Sequence, residues 1–210
     1  MDTSSIDDKV VTLLEDMTEQ SLTSQDITPT VLFLSALIAI LSGVIVIDGV
    51  VAPEEVERLQ IILNSFVPPE TKVNQLMQKM IQGVEHHQLY LNPGALLMLV
   101  HTLSLSQRLM LMGLGYEMAA ADGSVDARER MYLQAIAHRL QIPTHYRLVL
   151  ETGFTRDGSQ SIDALKEVAN YLAPHLFQAL DPVFVDIARS ILIALPTDPI
   201  EMEVVEAIAV

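Results

Sequence analysis

The chain has 210 residues, half of them apolar, no cysteine and a net charge of −15. That length suits one ordinary domain with a sizeable core, and the missing cysteines exclude disulfides, thiolate metal sites and cysteine nucleophiles while favouring a reducing compartment. Twelve basic residues stand against 27 acids, which argues against a nucleic-acid partner and against an anionic membrane surface, both of which need clustered Lys and Arg.

The opening residues Met1 to Ser5 are polar and acidic, not the basic-then-apolar pattern of a signal peptide, so a cytoplasmic protein is expected. Residues 6–20 place Val10, Leu13, Leu14 and Met17 on one stripe, the spacing of a first helix. A polar connector, Ser21 to Pro29, leads into Thr30–Ile47, whose stretch from Val31 to Ile47 is 17 residues without a charge. That is near the lower limit for a bilayer span, and its flanks, Asp26 and Asp48, supply no basic anchor. A buried core helix is the better reading.

Asp48-Gly49 breaks the pattern and Pro53 restarts it, as a first-turn proline does. Further helices are expected over roughly 70–84, after Asn92-Pro93-Gly94, and over Ser106–Ala121, where Gly113, Gly115, Ala119, Ala120 and Ala121 permit close backbone approach. Six of the eight arginines fall in residues 108–156. After Pro143 come three or four shorter helices, and Val183, Ile187, Ile191 and Leu195 form a stripe that either extends the bundle or makes a dimer face. Nothing reads as a sheet. The expected organisation is an N-terminal helix and connector (1–28), a central helical domain (29–152) and a C-terminal helical extension on the same bundle (153–210).

The most informative feature is an internal repeat. Asp48-Gly49-x-Val51-x-x-x-Glu55 and Asp122-Gly123-x-Val125-x-x-x-Glu129 share one pattern at an offset of 122 − 48 = 74, and Leu37/Leu111, Ile40/Leu114, Leu59/Leu133 and Ile62/Ile136 match at the same offset. Two helical hairpins with like loops predict an all-α antiparallel bundle containing a pseudo-symmetric pair. Each glycine lets the chain leave its helix through a left-handed conformation, each valine can turn inward to staple its hairpin, and Asp126 with Glu129 forms a capping box.

The same pattern is the second half of an EF-hand loop, with Asp, Gly, an apolar residue and Glu at its fifth, sixth, eighth and twelfth positions. The first and third positions would be Val44 and Val46, or Met118 and Ala120, so neither copy is a complete EF-hand. Two readings stay open: structural caps, or a composite hard-cation site for calcium or magnesium made from Asp48, Glu55, Asp122 and Glu129, with Asp126 and Glu117 as weaker candidates. Glu117 alternatively pairs with an arginine such as Arg108.

On these residues the chain resembles the tellurite-resistance TerB-like family over about residues 29–152. The resemblance covers the apolar helix before Asp48-Gly49-Val50-Val51, then Pro53-Glu54-Glu55, and Tyr116–Ala121 before Asp122-Gly123-Ser124-Val125-Asp126 and Glu129. It implies an all-α bundle, divalent-metal chelation by the loop acids, and a non-enzymatic role in stress-related, membrane-linked complexes at the inner face. Partners would be other proteins, with a homodimer through apolar helices as one form. The alternative is a purely structural interaction module without metal. No histidine pair has zinc-ligand spacing, and no nucleophile elbow or phosphate loop is present. The ten methionines are expected mainly in the core.

Overall fold

A computed structural model describes residues 8–23, 25–47, 49, 51, 53–67, 71–158, 160–196 and 199–209. Among them are eleven α-helices and no strand. They are α1 (Asp8–Thr18), α2 (Pro29–Ile47), α3 (Pro53–Phe66), α4 (Lys72–His86), α5 (Pro93–Val100), α6 (Leu105–Ala119), α7 (Ala127–Arg139), α8 (Thr144–Thr155), α9 (Ile162–Tyr171), α10 (Pro182–Ala194) and α11 (Pro199–Ala209). Short 3-10 turns at Leu89–Leu91 and Pro174–Phe177 complete the chain.

The architecture is organised around α2. A helix apolar on every side has no face to offer water and must be enclosed. Every residue from Val31 to Ile45 is buried, against α3, α4, α5, α6, α7 and the 3-10 turn at Leu89–Leu91. The helix is long and apolar enough to cross a membrane, but other helices of the same chain cover it. Its partner α6 is almost as buried and touches α2, α3, α7, α8, α9 and α10. Each Leu, Ile or Phe removed from water in this way contributes about 1.5–3 kcal/mol.

The repeat is realised as a reciprocal embrace: α3 packs on α6, and α7 packs on α2. Two contacts fix the relation residue by residue. Arg58 of α3 ion-pairs with Glu117 of α6, while the Tyr132 ring of α7 lies against Gly43 of α2. The partners are equivalent in the repeat, since 117 − 43 = 74 and 132 − 58 = 74. The correspondence extends to a third helix, because α4 packs on α2 as α8 packs on α6. Both loop glycines take the left-handed conformation expected of them, with φ of 83° at Gly49 and 95° at Gly123.

Several close approaches could not be seen in the sequence. A Cβ on Gly43 would overlap the Tyr132 ring, and one on Gly83 would overlap the carbonyl of Met17, which is how α1 sits down on α4. Of the expected small-residue contacts, Gly115 lies under Leu133 and near Ile40, and Gly113 lies under Ile191. Most methionines fill the core, Met77, Met80, Met110, Met112 and Met118 among them, but Met131 is exposed. Ile187, Ile191 and Leu195 are buried, so the α10 stripe packs into the bundle.

One expectation is corrected. Val125 packs against the core, but Val51 is 56% exposed and staples nothing. Behind Val125 the second chain reversal is fixed by a side-chain oxygen of Asp126.

Gly83→Ala should lower the stability of the chain by about 1–3 kcal/mol in urea unfolding, because the obstacle is backbone and cannot rotate away. An unchanged midpoint would show that α1 does not approach α4 this closely.

Candidate functional site

The six acids named from the sequence have different fates. Asp48 lies outside the described residues. Glu55 is buried in the first turn of α3 and Glu129 in the first turn of α7, where a carboxylate also faces the positive end of the helix dipole. Glu129 Oε2 accepts the backbone N–H of Asp126 at 2.7 Å, and Asp126 Oδ1 accepts that of Arg128 at 2.7 Å. The capping box is therefore closed. Asp122 is exposed, and its Oδ1 accepts the N–H of Ser124 at 2.9 Å, the turn that brings the chain round Gly123.

Glu117 takes the ion-pair role, but its partner is Arg58 rather than Arg108. The reason is topological: α3 crosses the C-terminal half of α6, while Arg108 near its start donates to the Leu140 carbonyl at 2.8 Å. Among the described residues no group of three or more His, Asp or Glu could hold a metal ion. At the second corner the donor set is thus partly committed to backbone N–H groups.

A second polar centre escaped the sequence reading. Glu151 of α8 is buried between two guanidiniums, Arg147 one turn before it and Arg130 of α7, whose Nη1 lies 2.8 Å from Glu151 Oε1. The buried hydroxyl of Tyr116, from α6, lies 3.5 Å from Glu151 Oε2 and accepts from Arg147 Nη1 at 3.4 Å. Burial pushes the Tyr116 hydroxyl up to about 12, with Arg147 opposing the shift and the Glu151 charge adding to it. The only signal in the sequence was the i,i+4 pair Arg147/Glu151, which on its own is an ordinary surface pattern. The cluster ties α6, α7 and α8 together through one carboxylate shared by two guanidiniums.

Two shallow clefts share a wall. One, of 570 Å³, is lined by Glu54, Glu57, Arg58, Glu117, Phe154 and small residues that include Ala120, Ala121 and Ala194. The other, of 340 Å³, continues it past Ile62, Leu114, Val183 and Asp186, sharing Arg58, Ile61, Glu117 and Ser190 with the first.

The buried cluster makes two predictions. Glu151→Leu should cost roughly 3–5 kcal/mol by stranding Arg147, and adding Arg147→Met should recover much of that loss, as read by a double-mutant cycle in urea. The Tyr116 hydroxyl ionises at a higher pH in the folded chain than at its ordinary value of 10.0 in the unfolded one. Its contribution is therefore complete below pH 10 and is lost as pH rises through about 12. Tyr116→Phe should flatten that part of the stability curve, and an identical alkaline profile would refute the assignment.

Comparison with known proteins fits this geometry. No curated protein and no solved structure matches the chain. A family model described as Tellurite resistance protein TerB matches residues 34–148, which is 115 of the 210 residues (148 − 34 + 1). The match begins inside α2, takes in both hairpins and ends in α8. With more than half of its length matched, two like hairpins packed on each other and both loop glycines left-handed, the chain belongs to the tellurite resistance protein TerB family.

Proposed function

We propose that this chain works by binding rather than by catalysis, as a stress-related scaffold or adaptor of the cytoplasm that docks other proteins near the inner face of a membrane. The observation that supports this reading best is how the polar side chains are used. Glu129 and Asp126 close a cap, Glu117 holds Arg58, and Glu151 holds two arginines. Polar groups spent on holding helices together suit a rigid platform, while an active site needs convergent groups in a closed pocket. The apolar surface of α2 is consumed inside the chain, so docking would use the outer helices.

A second reading, calcium or magnesium at the acidic corners, has one observation in its favour. Asp122 is exposed at the turn, and its described hydrogen bonds use only Oδ1. Asp48, Glu55 and Glu129 would complete the set, with Asp126 and Glu117 nearby in sequence.

Calorimetry separates the two. A corner that chelates should give heat with millimolar calcium or magnesium, reduced at least tenfold in affinity by Asp122→Asn. A chain whose corners only cap should give none, with or without the substitution. The adaptor role is tested by in-cell cross-linking under tellurite stress: recovery in defined protein complexes of the membrane fraction is expected. A chain that stays monomeric and uncrosslinked in the soluble fraction would reject it.

A further inference from the structure

The two clefts described above form one groove, and the internal repeat explains why it is there. In the second half, α8 lies along both α6 and α7. In the first half its equivalent, α4, lies on α2 and α1 and makes little contact with α3. Beside α3 the place that α4 does not take is met by α10 of the C-terminal extension, which touches both α3 and α6. That helix does not fill the space. Along the groove, α3 contributes Glu54 at one end and Ser65 at the other, while α10 contributes Ala194 and then Val183 in the same order. The two helices therefore run antiparallel as walls, and the C-terminal half of α6 is the floor.

We propose that this groove is a docking site for a basic amphipathic helix of a partner protein, a proposal that rests on the binding role argued above and names the partner's chemistry. Its length fits: Glu54 to Ser65 spans about 16 Å at 1.5 Å per residue, three helical turns. Ala120 and Ala121 on the floor side and Ser190 and Ala194 on the wall leave room for a backbone at helix-packing distance. Apolar anchoring is present too, since Ile61, which lines both clefts, is 52% exposed. Such anchors are what a helix laid into a groove uses at i, i+3, i+4 and i+7.

Charge selects the kind of helix. The lining carries four acids, Glu54, Glu57, Glu117 and Asp186, against Arg58 alone. Arg189, which pairs with Asp186 at 3.6 Å, raises the bases only to two. An acidic partner would meet like charge; a basic one is steered in and held in register. A second copy of this chain, at −15, is disfavoured by the same argument.

The test uses the full chain and a fluorescein-labelled 18-residue peptide of leucine and lysine patterned as an amphipathic helix, read by fluorescence anisotropy. The patterned peptide should bind, and a scrambled peptide of identical composition should bind at least tenfold more weakly. Ser190→Trp, which fills the groove, and the surface pair Glu54→Lys/Glu57→Lys should each weaken binding at least tenfold while leaving helicity and thermal midpoint unchanged. Glu85→Lys on α4 should have no effect. Equal binding of the scrambled peptide, or indifference to the groove variants, would reduce the attraction to general charge and overturn the proposal. So would a protein dimer that Ser190→Trp dissolves, which would make a second copy the occupant. Any of these results leaves the adaptor reading to its own cross-linking test, since another face would then carry the docking.

Discussion

The whole structure depends on enclosing one uncharged helix. With every residue from Val31 to Ile45 buried, α2 has no side left for solvent, and α3, α4, α5, α6 and α7 are arranged so that each covers part of it. The partner best placed to do so is its own repeat. Helix α6 crosses it, α7 reaches over to Gly43, and α3 reaches back to Glu117. The hydrophobic term is non-directional and would accept many arrangements. What makes this one specific is the pair of reciprocal contacts, one steric and one ionic, at equivalent places.

Those contacts also show how the two halves have diverged. The geometry is kept and the chemistry exchanged: a tyrosine on a glycine in one half, an arginine on a glutamate in the other. The corners diverge in the same way. The second is closed by two side-chain oxygens bonded to backbone N–H groups, and Val125 packs behind it. The first begins its helix with Pro53, and Val51 stays in water. At the second corner Asp122, Asp126 and Glu129 each accept a backbone N–H group, and the proposed cation site would draw on the same side chains.

Beyond the repeat, the C-terminal helices are seated by two further glycines. Gly113 admits Ile191 against α6, and Gly153 admits the backbone at Leu195 against α8. The family match ends before Glu151, so the cluster that binds α8 to α6 and α7 is completed by a residue just past the matched stretch. The same extension supplies one wall of the groove, with Ser190 and Ala194, while the family core supplies the floor and the other wall. If docking occurs there, the surface belongs jointly to the family domain and to what this chain adds to it.

The sequence by itself determined the helical class, the buried character of residues 31–45, the paired hairpins and the second cap. All of these depend on short-range chemistry: an uncharged run, a period of 3.6, a glycine after a helix, an acid three residues past another. It could not say that Gly43 receives Tyr132, that Glu117 chooses Arg58 over Arg108, or that Arg130, Arg147, Glu151 and Tyr116 converge. Those partners lie between 21 and 89 positions apart for the inter-helix pairs, and only the crossing of the helices brings them together. The exposure of Val51 and the groove beside α3 were decided at the same level, because the space around a helix depends on where its neighbours go, and α4 went to α1 and α2.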